Sequence, residues 1–295
     1  QESQGFSTSS DTLISADYWS IPEDMRMLSM GSPKNKTNSD WYEAESFISY
    51  LARLNYNYAD KYLMSLTFRT DGSSKFSPKK RWGYFPSVGL AWVASDESFF
   101  EPLKETVNFL KIKSSWGKLG NDKIGNYLYF PTINPMGQQV VVDGKTYYLP
   151  TVSNLVDENI HWEVVTGLDV GFESQLFNNK LILEAGYFTK TTDDLLAYVA
   201  PSVSVGAGYA ITNAGAIRNS GLEFIATWKD KIGKFNYSVS MNGTTINNEV
   251  LALGNDNSYI VSGTYHRTAV GHPVGSIYGY VQEGIYQNQA DIDNH

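Results

Sequence analysis

The chain has 295 residues, with 23 Lys and Arg against 31 Asp and Glu for a net charge of −8, and it contains no cysteine. A disulfide scaffold, a zinc finger and a cysteine nucleophile are therefore excluded, and the acidic balance argues against nucleic acid, whose readers carry a basic stripe. A hydrophobic share of 42% excludes disorder, and the negative mean hydropathy argues against a bundle of membrane helices but not against a membrane β-barrel.

Residues 1–8 carry neither a basic nor an apolar leader region, so no signal peptide is expected there. The first strong pattern begins at residue 48. Ile48, Tyr50, Ala52, Leu54, Tyr56 and Tyr58 alternate with Ser49, Arg53, Asn55 and Asn57, Leu51 being the exception. Alternation of period two predicts a strand with different surroundings on its two faces. The pattern returns with Tyr62, Met64, Leu66 and Phe68, with Val88, Leu90 and Trp92, and with Leu110, Ile112 and Trp116. It continues through Trp162, Val164, Leu168, Val170 and Phe172, then Leu181, Leu183, Ala185 and Tyr187. Leu222, Phe224, Ala226 and Trp228, and then Phe235, Tyr237, Val239 and Met241, complete about eight strands, most near the length that crosses a bilayer at a tilt.

The connections alternate between short turns, at 58–61, 177–180 and 229–234, and long loops, at 71–81, 118–159 and 191–214. The link 95–107 breaks that rule mildly. Short turns on one side and long loops on the other suit an outer-membrane barrel. Tyr56, Tyr58, Tyr62, Trp162, Phe235 and Tyr237, near strand ends, are then expected in interfacial girdles. A soluble β-sandwich also alternates and remains the competing reading of the pattern, as a glycan-binding module. Residues 195–217 have no charge over a bilayer-spanning length, but Pro201, Gly206, Gly208, Asn213 and Gly215 favour a surface loop over a spanning helix.

Enzyme signals are weak. The four histidines are scattered, no metal-ligand spacing appears, and no nucleophile elbow, Walker sequence or dinucleotide loop is present, so neither a cofactor nor a catalytic residue is expected. Glu163 and Asp169 would lie about 20 Å apart along one strand, too far for an acid/base pair. The loop 118–159 carries Tyr127, Tyr129, Phe130, Tyr147 and Tyr148, aromatics suited to stacking on sugar rings, although they also suit packing of the loop into a rigid cap. Within it, Asp143-Gly144 predicts the type I′ turn of a small hairpin.

Several runs carry a family resemblance. They include Leu54-Asn55-Tyr56-Asn57-Tyr58-Ala59-Asp60-Lys61, Arg69-Thr70-Asp71-Gly72-Ser73-Ser74-Lys75-Phe76 and Arg81-Trp82-Gly83-Tyr84-Phe85-Pro86. Leu110-Lys111-Ile112-Lys113-Ser114-Ser115-Trp116-Gly117, Arg218-Asn219-Ser220-Gly221-Leu222-Glu223 and Gly271-His272-Pro273-Val274-Gly275-Ser276-Ile277-Tyr278-Gly279-Tyr280 follow in order. Over residues 42–291 the sequence resembles the SusC/RagA family of TonB-dependent outer-membrane transporters of Bacteroidetes.

The resemblance implies an all-β fold: an antiparallel transmembrane β-barrel, part of a plugged barrel of about 22 strands. It implies residence in the cell outer membrane, among lipid, and import of an oligosaccharide or, as the lesser alternative, a peptide. A SusD-like surface lipoprotein and TonB, through an N-terminal region absent here, are the implied partners. The expected layout is an outer loop over 1–42, barrel strands and loops over 43–249, and an outer loop with the start of a further strand over 250–295. A plug domain is expected to be missing, so the chain is expected to be a slice of a longer protein that does not fold alone. Arg53, Arg69, Lys111, Lys113, Glu163, Asp169, Glu173 and Glu184 are the candidates for facing the lumen and holding a plug by ion pairs.

Overall fold

The computed structural model describes residues 2–8, 38–131, 133–152, 155–199, 210–254, 259–281, 284–285 and 289–293. Its strands are, in chain order, β1 (Glu2–Thr8), β2 (Asn38–Ala44), β3 (Phe47–Tyr58), β4 (Tyr62–Ser73), β5 (Trp82–Val93) and β6 (Val107–Asn121). Then come β7 (Ile133–Val142), β8 (Lys145–Val152), β9 (Glu163–Leu176), β10 (Leu181–Asp193), β11 (Leu196–Val199) and β12 (Ala210–Asn213). The last are β13 (Ala216–Ile232), β14 (Phe235–Thr244), β15 (Asn247–Ala252), β16 (Tyr259–Ser262), β17 (His266–Ala269) and β18 (Ser276–Ile277), followed by a short helix α1 (Gln289–Asp293).

One antiparallel sheet dominates, in the order β14-β13-β10-β9-β6-β5-β4-β3, with β15 also on β13. Strands β14 and β15 pair with two halves of the same neighbour: β14 with Glu223–Ile232, β15 with Ala216–Ser220. They make one strand interrupted at Thr245-Ile246, so the expected count of eight matches eight strand positions. Gly221 sits opposite the interruption, where an added Cβ would collide with the Thr245 carbonyl oxygen. The predicted hairpin of the long loop is β7/β8, with Asp143 at φ 50° and Gly144 at φ 71°, both in the left-handed region that a type I′ turn requires.

Register explains the two faces. Leu54, Leu66 and Val88 lie in one row across β3, β4 and β5, and Val88 faces Trp116 on β6. Tyr58, Tyr62, Trp92, Ile112, Phe172, Ala185 and Phe224 make another row on the same face. That face is open, Leu54 being 58% exposed, Leu90 54% and Val239 64%. A soluble sandwich would need a second sheet there, and among the described residues none packs against it; the sandwich reading is overturned by this single, uncovered sheet. On β10 the outward residues are Leu181, Leu183, Ala185 and Tyr187, and then Thr189, Thr191 and Asp193, so the apolar band stops well before the strand does.

Within 195–217, read from the sequence as a surface loop, β11 and β12 pair from Leu196–Asn213 to Val199–Ala210, while residues 200–209 lie outside the described residues. No helix among the described residues is long and apolar enough to cross a membrane.

The tight core lies where the long loops leave the sheet. Phe76, Phe85, Ile160 and Trp162 are buried together, with Ile124, Tyr129, Val164, Leu196 and Ile211 packed around them. This corrects the girdle assignment of Trp162. The alternation continues on paper through 162, but β9 starts at Glu163, and Trp162 turns into the cluster with 4% of its surface exposed. Its indole Nε1 donates to the Arg81 carbonyl at 2.9 Å, and its ring meets Phe76 at 5.2 Å and Phe85 at 5.4 Å.

Candidate functional site

The polar face of the sheet carries the charged candidates. Glu173 on β9 sits directly between Lys111 on β6 and Glu184 on β10. Two carboxylates opposite one another repel, so this row needs cations. Lys113, one step along, faces Gly171, which in turn faces Gly186. With no side chains to cross, its ammonium leans back onto the acids, 2.7 Å from Glu173 Oε1 and 3.7 Å from Glu184 Oε2. Lys111 lies 3.6 Å from Glu173 Oε2. The four residues form a charge ladder across three strands.

The other candidates are placed separately. Asp169 lies between Ser115 and Phe188 on the same face. Arg53 donates from Nε to Thr67 Oγ1 at 3.1 Å. Arg69 clasps Asp71 through Nε, at 2.9 and 2.8 Å to the two carboxylate oxygens. Glu163, at the start of β9, accepts from Asn121 Nδ2 at 2.9 Å and from the Leu196 backbone N–H at 3.1 Å, tying the β11 hairpin to the wall.

The loop aromatics divide in the same way. The Tyr127 hydroxyl donates to the Ala44 carbonyl at 2.9 Å and accepts from the Ala44 N–H at 3.2 Å, an anchor for the entry to β3. Tyr129 packs on the buried cluster and meets the Phe130 ring at 4.3 Å in a tilted arrangement. Phe130 and Tyr147 are about half exposed. The side chain of Tyr148 lies outside the described residues; its backbone pairs with Gln139.

The sequence did not reveal two further devices. Ser73, fully buried, donates to Asp122 Oδ2 at 2.9 Å, while Lys75 reaches the Asp122 carbonyl at 3.3 Å and Glu45 at 3.6 Å. The run Asp71-Gly72-Ser73-Ser74-Lys75-Phe76 thus latches β4 to the root of the long loop and supplies Phe76 to its core; it stood out among the runs that carry the family resemblance, but its task needed the fold. On the short-turn side, Glu97 accepts from the Tyr62 hydroxyl at 2.6 Å, from Trp92 Nε1 at 3.3 Å and from Lys61 Nζ at 3.3 Å. The Tyr62 hydroxyl, then the Trp92 indole, then Lys61 hold this carboxyl below the usual carboxylate range.

A single antiparallel sheet with an uncovered apolar face, a polar face bearing a charge ladder, short turns at one end and long loops at the other defines a segment of the wall of an outer-membrane β-barrel. The chain belongs to the TonB dependent receptor-like, beta-barrel family, whose model matches residues 3–294. It is similar to TonB-dependent receptor P26 of Formosa agariphila, 29% identical over 98% of this chain and 30% of that protein. It is also similar to TonB-dependent receptor SusC of Bacteroides thetaiotaomicron, 33% identical over 84% of this chain and 26% of that protein. The RagAB peptide transporter superposes with a TM-score of 0.71 at 23% identity, over 85% of this chain and 28% of that one. The chain is of the SusC/RagA type, a type that resides in the outer membrane, and it spans less than a third of the length of these curated relatives.

Proposed function

We propose that the chain is part of the wall of a TonB-dependent importer that brings oligosaccharides across the outer membrane together with a SusD-like lipoprotein. The observation that carries this reading is the two-faced sheet: lipid suits one face, and the other bears Lys111, Lys113, Glu173 and Glu184 on a surface otherwise rich in Gly, Ser and Asn. In a wet lumen such pairs contribute little stability and rearrange at low cost. They suit contacts with a plug that must move when TonB pulls, with Asp169, Arg53 and Arg69 on the same face as further contacts.

On the outer side, the exposed rings of Phe130 and Tyr147 stand on a loop braced by Tyr127 and Tyr129, an arrangement suited to stacking on sugar rings. Peptide import is the second member of the same reading. The test is deletion of residues 139–148 from the full-length receptor, followed by growth on candidate glycans and binding by the purified protein. Loss of one glycan, with the barrel still assembled, supports the reading; unchanged uptake and unchanged binding sink the role of this loop.

A further inference from the structure

The three-stranded sheet β16-β17-β18 lies on the long-loop side, beyond the end of β15. It is fastened to the wall: the Gly271 N–H donates to the Val250 carbonyl at 2.8 Å and the Val250 N–H to the His272 carbonyl at 2.9 Å, while Asn248 Oδ1 accepts from the Val274 N–H at 2.7 Å. Val250 itself is fully buried. Whatever this small sheet presents is therefore held on a rigid support.

It presents an arginine between two tyrosines. Arg267, in the middle strand, is opposite Val261 on one side and Ser276 on the other. Tyr259 and Tyr278 each lie two residues from those partners, so period two puts both rings on the arginine's face. The guanidinium carbon is 3.9 Å from the Tyr259 ring centroid and 4.6 Å from that of Tyr278. Tyr265, two residues before Arg267, is joined to the sheet by the Tyr278 N–H donating to its carbonyl at 2.8 Å. The three tyrosines remain exposed, between 48% and 68%.

Among the described residues the arginine has no counter-charge. Arg69 is clasped by Asp71, and Arg218 lies 4.0 Å from Glu249. No carboxylate among the described residues pairs with Arg267, and its buried Nε has no hydrogen-bond partner. Ring faces on both sides strip water from the guanidinium plane and fix its orientation, while its edge keeps the planar fork of donors that fits a carboxylate. A fork fixed in advance loses less freedom on binding than a free arginine does.

We infer that the Tyr259–Arg267–Tyr278 stack is a ligand-contact site for a carboxylate carried beside a flat face, either the acid of a uronic sugar or the C-terminal carboxylate of a peptide. This deepens the import reading and rests on it only in taking the long-loop side as outside. The test is calorimetric binding by the full-length receptor in detergent, with two matched pairs of probes: trigalacturonic acid against its methyl ester, and trialanine against its C-terminal amide. Two charge-assisted hydrogen bonds to one carboxylate predict that the acid of one pair binds about tenfold or more tighter than its neutral twin. The pair that discriminates names the source. Arg267→Lys, which keeps the charge and loses the fork, is expected to bring that ratio below about threefold. Tyr278→Leu, which keeps the arginine and removes one covering ring, is expected to lower it too and serves if the first variant does not assemble. The proposal is overturned if neither acid is preferred by the unaltered receptor, or if the preference survives both substitutions. Because binding is read without transport, failure here leaves the uptake experiment standing.

Discussion

Trp162→Ala tests the view that the outer loops are held by a buried cluster above the wall rather than by the wall itself. The indole is almost fully buried, meets Phe76 and Phe85 ring to ring, and donates to the Arg81 carbonyl. Truncating a tryptophan in such a site costs about 3–5 kcal/mol. The strands are fixed independently by their ladders, so the loss falls on loop docking, not on the sheet. At about 1.4 kcal/mol per factor of ten, the population of opened loop rises between about 100- and 4,000-fold. The assay is limited trypsin digestion of the full-length receptor in outer membranes, with cuts at Lys123 and Lys145 followed by mass spectrometry. Where reclosing outpaces cleavage, the cutting rate tracks that population. Trp162→Phe keeps a ring and leaves the Arg81 carbonyl without its donor, so a rise of about tenfold is expected. If Trp162→Ala is cut at those lysines no faster than the unaltered receptor, or is cut first within β9 or β10, the reasoning is wrong.

Other expectations concern the wall. A carboxyl held below its ordinary value adds stability above that ordinary value and loses it as pH falls through the lowered one. Glu97→Gln is therefore expected to unfold at a lower temperature than the unaltered receptor at pH 7, with the gap closing below about pH 4; a gap that persists in acid would mean that Glu97 acts through packing. Gly221→Ala places a carbon on the Thr245 carbonyl oxygen, so heat-modifiability gels should show little assembled barrel, whereas Gly233→Ala, whose Cβ would meet nothing within 4 Å at a turn of φ 63°, should still assemble. A double-mutant cycle on Lys113 and Glu173 should return a coupling of about 0.2–1 kcal/mol, the range of solvated ion pairs. A coupling above about 3 kcal/mol would show that the ladder is sealed from water in the assembled receptor.

Alternation carried the strands because lipid and water impose opposite demands on successive residues, and a slip of one residue exchanges every side chain. It failed where those demands end. β13 was anticipated over 222–229 and extends over Ala216–Ile232; β5 was anticipated over 87–92 and begins at Trp82. In β13 the added residues Ala216, Arg218 and Ser220 put nothing large and apolar on the outer face, whereas in β5 Trp82 and Tyr84 keep the phase and only Pro86 interrupts it, so the period weakens while the hydrogen bonds continue. Trp162 was misassigned for a related reason: it keeps the phase of β9 but lies one residue outside it, and its partners come from β5 and the loop after β4, contacts of high sequence separation. Parity put Lys111, Lys113, Glu173 and Glu184 on one face. Their meeting depended on the register between β6 and β9, set across a long loop, and on the bare glycines 171 and 186. Arg267 gave no sign, since its tyrosines stand 8 and 11 residues away with no periodic relation to it.

The change of outer surface along β10 has a mechanical consequence. After Tyr187 the strand continues through Asp193 with Thr189 and Thr191 facing outward. Thr189 still lies in the row of Leu168, Trp116, Val88, Leu66 and Leu54, so only the four residues to Asp193, about 10 Å at about 3.4 Å each and a tilt of about 40°, carry β10 above that row. On this strand the wall thus continues above its own apolar residues, and the Trp162 cluster sits at that end. Forces applied to the long loops at this end therefore pass into hydrogen-bonded strands before they reach the apolar residues of β10.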